Sequence, residues 1–280
     1  MAATTHPHRR SRAALHPLRS GSARYLVTHR SLLWRTTRNE LQARYAGSHL
    51  GRIWVLLAPL LLLVVYSVTY VAIFHTKIAG LTTWEYVFFI FSGLVPYLMA
   101  AEALANGVVA VLSNKSVLNN TVFPIDLTPV KSVLVAQATM IVGLVVTVIG
   151  SALVGDLHWT VVFLPVIWTL QMLGLIGIVW FISLLNILFR DIQNFLTPVL
   201  MIILIISPYA YTPDSVPTSL RLLIYLNPFA YFVVAYQQVL VLGLSPGPLH
   251  WVALLLLGIV PFLAGSWFFA TAKRVIIDYV

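Results

Sequence analysis

Apolar residues along this chain fall into long runs that are separated by short polar segments. A helix rises about 1.5 Å per residue, so about 20 mostly apolar residues cross the roughly 30 Å hydrocarbon core of a bilayer. The pattern therefore predicts an all-α integral membrane protein with six transmembrane helices. These predicted spans lie near residues 53–74, 86–111, 132–154, 161–188, 195–211 and 250–272.

A seventh apolar run, residues 221–243, has the length of a span but carries Asn227 and Pro228 in its interior. Proline removes a backbone donor and clashes with the preceding helical turn. We therefore predict that this run forms two short helices rather than one span. They would make a re-entrant helical pair between spans five and six.

The composition agrees with a membrane protein. Hydrophobic residues make up 60% of the 280 residues and charged residues only 9%, against roughly a quarter in an ordinary globular domain. The net charge of +9 would suit nucleic acid, but too few charges remain after the first fifty residues to form a basic face, so no nucleic-acid partner is expected. The chain has no cysteine, which excludes disulfides and thiolate metal sites. Its first apolar run begins too late for the core of a cleavable signal peptide.

The positions of Lys and Arg predict the orientation, because short cytoplasmic loops retain them. Ten arginines precede the first span, which places the N-terminus in the cytoplasm. Counting six spans then places the C-terminus on the same side. The basic residues of the later cytoplasmic segments would be Lys115, Lys131, Arg190, Lys273 and Arg274, with only Lys77 and Arg221 outside.

Arg190 and Asp191 stand together inside the longest apolar tract, and the topology places them at the cytoplasmic turn between spans four and five. There Arg190 would satisfy exposed carbonyls at the end of span four, where a cation also complements the helix dipole. Asp191 would cap the start of span five. The alternative is a direct role for the pair in gating.

Six motifs occur in a characteristic order and resemble the membrane subunit of ABC-2-type polysaccharide exporters, the permeases for O-antigen, teichoic acid, galactan and related lipid-linked glycans. A departure from that family's pattern is Gln237-Gln238, because an arginine is common after the Asn-Pro motif. The motifs are RTTRNELQARYAGSHLGRIWVLLAPLL (35–61), FSGLVPY (91–97), NKSVLNNTVFPIDLTPV (114–130), LLNILFRDIQNF (184–195), ISPYAYTPDSVP (206–217) and YLNPFAYF (225–232).

The resemblance implies a homodimer in a bacterial plasma membrane, with each protomer supplying half a channel for a lipid-linked polysaccharide and two copies of a separate ATPase supplying energy. The chain itself lacks the glycine-rich phosphate loop, so we expect it to be no enzyme and to bind no cofactor, with ATP and Mg²⁺ on the partner. We divide it into a disordered basic tail, residues 1–28, and one transmembrane domain, residues 29–280.

Residues 29–45 predict a helix lying on the cytoplasmic membrane surface. Its arginines are interpreted either as a positive anchor or, for Arg38, Arg44 and Arg52, as ligands for the pyrophosphate of a lipid-linked glycan, because guanidinium groups suit phosphate oxygens. The apolar residues that share one third of the helix circumference are Leu33, Trp34, Leu41 and Tyr45.

The loop at residues 114–131 is polar but contains apolar side chains that a simple turn would not need. By the resemblance it is a coupling helix that docks on the ATPase; otherwise it is an interfacial segment packed on the permease itself. The residues expected to carry the coupling are Lys115, Leu118, Val122 and Phe123.

Aromatic residues suggest a surface for the glycan. Tyr66, Tyr70 and Phe74 recur every four residues on one face of the first span, and sugar C–H faces pack well on such rings. Such stripes are also common in helix cores and interface belts. A second candidate set in the re-entrant run consists of Tyr225, Phe229, Phe232 and Tyr236, of which Tyr225, Phe229 and Tyr236 are taken as channel residues.

Glu102 is the one acid well inside a predicted span, with Asn106 one turn away. An intramembrane carboxylate is the type of residue on which a proton-coupled secondary transporter depends, and this is a competing class. Against it, the spans show no buried basic or histidine partner and no inverted repeat. Another alternative is an ABC-2 exporter of a different lipid or drug. A membrane glycosyltransferase is disfavoured because Glu85, Asp156 and Asp214 are scattered over outer loops.

Overall fold

A computed structural model of the protein describes residues 22–114, 124–155 and 157–276. The regular structure of these ranges is helical. π-helical turns occur at Val68–Ile73 and at Gln238–Leu242, and a 3₁₀ turn occurs at Trp159–Phe163. The helices are α1 Ser22–Thr28, α2 Arg30–Arg44, α3 Trp54–Ser67, α4 Thr83–Ser113, α5 Leu127–Val154, α6 Leu164–Leu188, α7 Asp191–Ile206, α8 Thr218–Leu226, α9 Pro228–Gln237 and α10 Pro248–Ile276.

Five of the predicted spans are confirmed as helices long and apolar enough to cross a membrane, with ends within five residues of the prediction. They extend over Trp54–Ile73, Thr83–Ser113, Leu127–Val154, Trp159–Leu188 and Pro248–Lys273. This multi-helix arrangement makes the chain an all-α, multi-pass integral membrane protein.

The fifth predicted span, residues 195–211, is the shorter helix α7, whose 16 residues rise about 24 Å. It begins four residues before the predicted start. It stops at Ile206 because Ser207, which precedes Pro208, adopts an extended backbone with φ −70° and ψ 134°. Proline disfavours a helical conformation in the residue before it. The chain therefore leaves the helix earlier than its hydrophobicity alone suggests.

The predicted break at Asn227-Pro228 is confirmed, since α8 and α9 are bent by 97° across it. The Asn227 side chain accepts a hydrogen bond from the Phe229 backbone N–H at 2.9 Å, which caps α9. Its amide nitrogen donates to Ser207 Oγ at 2.8 Å. Pro228 occupies the first helical position, where a missing N–H costs little. The re-entrant pair is therefore bent and capped by the same two residues.

Helix α4 forms the centre of the bundle and packs against α5, α6, α7 and α9. Of its most apolar stretch 78% is buried, whereas the corresponding figure for Trp54–Ile73 is 6%. A helix that is apolar on all sides and fully surrounded by protein belongs to the core. The first span therefore stands at the edge of the protomer, with most of its apolar surface outward.

Helices α6 and α10 pack against each other, and their backbones come close together at glycines. A Cβ on Gly177 would lie 2.1 Å from the Pro261 carbonyl oxygen, and one on Gly265 would lie 2.1 Å from that of Gly177. Small residues permit such approaches between membrane helices. No larger side chain fits at either position without separating the helices.

The predicted disordered tail, residues 1–28, is wrong for its last part, because Ser22–Thr28 form α1. This helix is held to α10 by a hydrogen bond from the Ala23 backbone N–H to Ser266 Oγ at 3.0 Å. The preceding residues, 1–21, lie outside the described part of the chain. We call the end of the bundle that carries α1 the α1 end; it is the end that the charge pattern predicts to be cytoplasmic.

Candidate channel surface and coupling residues

Tyr66, Tyr70 and Phe74 share one face of the first span, as predicted, and lie toward the end opposite α1. Their ring centroids are 6.4 Å apart for Tyr66 and Tyr70 and 5.7 Å apart for Tyr70 and Phe74. Tyr209, from the segment after α7, contacts Tyr66 and Tyr70 edge-on at 5.7 and 6.0 Å. The Tyr70 and Tyr209 hydroxyls are hydrogen-bonded at 2.9 Å. We call these four residues the aromatic cluster.

Tyr209 was missed as a site residue, although the motif ISPYAYTPDSVP contains it. Its position depends on Gln237, whose side-chain amide donates to the carbonyls of Pro208 and Tyr209 at 2.9 and 3.1 Å. Gln237 had stood out only because an arginine is common there in the resembling family. In this chain the residue instead ties the re-entrant pair to the segment that carries Tyr209.

The structure separates the aromatic residues of the re-entrant pair. Tyr225 is exposed, but Phe229 is buried edge-on against Tyr97, with centroids 5.7 Å apart. Tyr236 is fully buried and donates to Gln171 Oε1 at 2.9 Å. This corrects the prediction for Phe229 and Tyr236, since α9 packs against α4 and α6 and both rings are part of the core.

The predicted surface helix exists as α2, but it lies against the bundle by a different face. Leu33 and Thr37 are buried, whereas Trp34 is 67% exposed. Leu33 and Trp34, which the sequence places together on one apolar face, therefore differ in burial. Further along the same stripe, Glu40 forms an ion pair with Lys131 and Arg44 forms one with Glu102. Spacings of four, three and four residues place the stripe on one face of a helix.

The sequence predicts no buried basic partner for Glu102 within the spans, and the partner that the structure shows, Arg44, is an exposed residue of α2. Arg44 donates to Glu102 Oε1, and Thr139 Oγ1 donates to Oε2 at 3.2 Å. Burial lowers the pKa of Arg44, but the hydrogen bond and the charge of Glu102 outweigh it, so the pKa is raised. The partner comes from α2 rather than from another span, which is why inspection of the spans missed it.

The three arginines proposed for a pyrophosphate do not converge on one site among the side chains described. Arg44 is paired with Glu102, and Arg38 is exposed. Six residues of helix separate the two by about 120° around its axis. The Arg52 side chain lies outside the described part of the structure. Of the two arginine side chains that the structure describes, Arg38 is the one whose guanidinium is open to a ligand.

A cavity of about 410 Å³ with both apolar and polar walls lies between α2, α4 and α5 near the α1 end. Its walls combine both signs of charge with amides and hydroxyls. These side chains include Glu40, Arg44, Asn106, Asn114, Lys131 and Ser132. Since each cation in the wall is already paired with a carboxylate, the cavity is close to electrically neutral.

Arg190 and Asp191 form the predicted turn between two apolar helices, and both are exposed. The predicted cap is wrong, because Arg190 occupies the N-cap position and Asp191 is the first residue of α7. Instead, the buried Asn186 side chain accepts from the Gln193 backbone N–H at 3.3 Å. Asp191 lies in the first turn, where a carboxylate still complements the helix dipole.

The residues predicted to couple to an ATPase, Lys115, Leu118, Val122 and Phe123, lie outside the described residues, and their role stays a prediction. The structure does describe the two flanks of that loop. Asn114 at the end of α4 donates to the Ala110 carbonyl at 2.8 Å. Asp126 begins the turn into α5.

A bundle of apolar helices with a bent re-entrant pair and a docked N-terminal helix is the architecture of a membrane permease. Residues 31–241 match the ABC-2 type transporter family, and the chain belongs to it. It is similar to the O-antigen export system permease protein RfbA of Myxococcus xanthus, with 26% identity over 219 residues that cover 77% of this chain and 82% of that protein. It is also similar to RfbA of Klebsiella pneumoniae, with 26% identity over 210 residues, 74% of this chain and 79% of that protein.

Proposed function

We propose that this chain is the permease subunit of an ABC transporter that exports a lipid-linked polysaccharide across a bacterial plasma membrane. Family membership and the relatives named for O-antigen export support the class. The observation that supports a glycan substrate is the aromatic cluster, four rings with three phenol hydroxyls at one end of the first span, of which Phe74 is exposed, Tyr66 and Tyr70 are partly exposed and Tyr209 is buried. Rings pack on sugar C–H faces, and phenol hydroxyls exchange hydrogen bonds with sugar hydroxyls.

The aromatic cluster lies at the edge of the protomer, because the first span is almost unburied and Phe74 is 63% exposed. A polar glycan that crossed there would meet lipid on one side, and an unpaired hydroxyl in hydrocarbon costs several kcal/mol. A second copy related by a twofold axis would supply the missing wall, since such an interface places the same patch on both subunits. We therefore infer a homodimer in which each protomer forms half a channel.

Energy would come from two copies of an ATPase that bind ATP and Mg²⁺, because this chain lacks the phosphate-binding loop. We place the docking site at the α1 end, on the loop at 114–131, with both termini in the cytoplasm. At that end Arg38 would be available to the pyrophosphate of the lipid carrier. Arg44 could join it only by leaving Glu102.

The test is Tyr70→Ala in the permease co-expressed with its cognate ATPase. The substitution removes the central ring of the aromatic cluster and should lower export about fivefold, because stacking on an aromatic ring is worth about 1 kcal/mol. Export is measured as surface glycan per assembled complex. The matched control is Phe181→Ala, an exposed ring on α6 that contacts Phe268 and lies outside the cluster. Equal export by the two variants would contradict the glycan surface.

A further inference from the structure

Asp126 lies within the loop at 114–131, at the start of α5, and only 4% of its surface is exposed. It occupies the N-cap position of α5, yet its carboxylate forms no hydrogen bond with that helix. An aspartate at this position commonly accepts from the backbone N–H groups of the first turn. Here the carboxylate does not cap the helix, so its position is set by other hydrogen-bond partners.

Those partners come from three other helices. Lys273 Nζ of α10 donates to both carboxylate oxygens at 2.7 Å, and Ser22 Oγ of α1 donates to Oδ1 at 2.7 Å. Trp180 Nε1 of α6 donates to the backbone carbonyl of Asp126 at 3.0 Å. A single residue therefore joins the start of α5 to α1, α6 and α10. We call these four residues the Asp126 junction.

The surroundings of the junction are tightly packed. Trp180 is fully buried, with ring centroids 5.7 Å from Phe262 and 6.2 Å from Phe269, both on α10. Lys273 also lies over the Tyr25 ring of α1, 5.9 Å from its centroid. The helix ends that meet here are thus fixed to one another by directional bonds and by ring contacts.

A buried ion pair is an expensive way to obtain stability alone, since apolar residues of similar volume often do as well or better. The ion pair adds a fixed geometry, because one ammonium group holds both carboxylate oxygens. A displacement of the start of α5 cannot leave Lys273 behind without leaving two charges buried and unpaired. The pair is therefore suited to passing a movement from α5 to α10 and α1.

We propose that the Asp126 junction couples ATP hydrolysis to the helix bundle, with Asp126 and Lys273 as positioning residues. The inference rests on the proposed function, since it requires an ATPase that moves the loop at 114–131. A force on that loop reaches α10 and α1 through the junction, and without the ion pair the start of α5 slides past them. Hydrolysis then continues while export fails.

The experiment compares Asp126→Asn, Lys273→Met and the double variant in the reconstituted permease–ATPase complex, and measures glycan exported per ATP hydrolysed. The double variant avoids an unpaired buried charge, so it should assemble and hydrolyse ATP like the parent. It should nevertheless export about tenfold less per ATP, a typical size for energetic coupling between two sites. Parental export per ATP in the double variant would overturn the inference.

The control pair is Asp214→Asn with Arg221→Met, which removes an exposed ion pair of 3.5 Å between residues at the opposite end. Its export per ATP should equal that of the parent; an equal loss there would mean that any lost ion pair uncouples the complex, and would overturn the inference. Failure of the proposed function is separable, because the parental complex would then show no ATP-dependent glycan export at all.

A second measurement does not depend on the folding of these variants. Ala23→Cys with Ser266→Cys joins α1 to α10 beside the junction, where the Ala23 nitrogen and Ser266 Oγ are 3.0 Å apart. The chain has no cysteine of its own, so a disulfide or a short bifunctional reagent links this pair alone. If the junction moves as one body, the linked protein should export normally. Arrest of export by the link, reversed by reduction, would contradict the inference.

Discussion

The two ends of the bundle are held together by different chemistry. At the α1 end of the described structure, three ion pairs join separate helices: Arg44–Glu102, Lys131–Glu40 and Lys273–Asp126. At the opposite end, rings and hydroxyl groups make the contacts, as in the pair Tyr70–Tyr209. The ion pair described there, Arg221–Asp214, is local, since it spans seven residues at the surface.

The difference matches what each end has to do in the proposed exporter. An ion pair that has been taken out of water holds its helices firmly, because removing one partner leaves a buried charge. Ring contacts are worth only about 0.5–1.5 kcal/mol each and tolerate several geometries, so a ring can exchange a neighbouring ring for a sugar. The α1 end is thus suited to transmitting force and the opposite end to a sliding substrate.

Among the contacts that hold α2 to the bundle, the largest effect on stability should come from Arg44→Met, which leaves Glu102 without its cation. The pair is partly exposed, so solvent screening reduces the usual cost of breaking a buried pair, and we expect a loss of about 2 kcal/mol. Thermal unfolding of the purified protein in detergent measures it. Arg38→Met removes an exposed arginine from the same helix and should change little. Equal shifts for the two variants would contradict the role of the ion pair in docking α2.

Glu102→Gln tests the same ion pair more finely, because the amide keeps the size of the side chain. Its oxygen can still accept from Arg44, and its nitrogen can donate to Thr139 Oγ1. It should cost about 1 kcal/mol, the difference between a charge-assisted and a neutral hydrogen bond. ATP-driven export should remain essentially intact in vesicles. Loss of export together with loss of any proton dependence would favour the proton-coupled transporter class instead.

Much of the fold could be predicted from local patterns in the sequence. Five spans and the bend at Asn227-Pro228 were predictable because hydrophobic length and proline chemistry act over neighbouring residues. The predicted end of α7 was too late for a related reason: hydrophobicity continued, but Pro208 already forced Ser207 out of the helix. The first-span aromatic face also followed from a four-residue spacing.

The contacts between distant segments were not predictable in this way. Arg44 and Glu102 are 58 residues apart, and Ser22 and Asp126 are 104 residues apart. Tyr209 joins the aromatic cluster from residues that the sequence predicts to be the end of span five. Asp126 offered one local signal, since an aspartate just before a helix suggests a cap. The structure shows that this carboxylate is used between helices instead.

Tyr209→Phe should lower the stability less than Arg44→Met does. It removes a hydroxyl but keeps the ring of the aromatic cluster. The hydrogen bond of 2.9 Å to Tyr70 should be worth about 1 kcal/mol, and Tyr70→Phe should cost a similar amount. A double-mutant cycle in thermal unfolding measures the coupling, which should make the double variant less destabilised than the sum of the two. Strict additivity would mean that the two hydroxyls do not interact.

The smallest effect should come from Asp191→Ala, in the turn between α6 and α7. Asp191→Ala removes a first-turn carboxylate that accepts no capping bond, so only the dipole interaction of about 0.5 kcal/mol is lost. Asn186→Ala should cost about 1 kcal/mol, because this buried side chain accepts the hydrogen bond from Gln193 that a cap would otherwise accept. Thermal unfolding measures the loss of stability in both variants. A larger loss for Asp191→Ala than for Asn186→Ala would mean that Asp191 caps α7.

Labelling of the same turn tests which end of the bundle faces the cytoplasm. In the cysteine-free chain, Arg190→Cys and Asp191→Cys should react with a membrane-impermeant reagent from the cytosolic side, and Asp214→Cys from outside. Because both turn residues are exposed and neither caps α7 with its side chain, the substitutions should leave folding unchanged. The opposite labelling would exchange the two ends and place the ion pairs outside the cell. If Asp191→Asn abolished export in a complex that still assembled, the turn would belong with the α1 end as part of the coupling machinery.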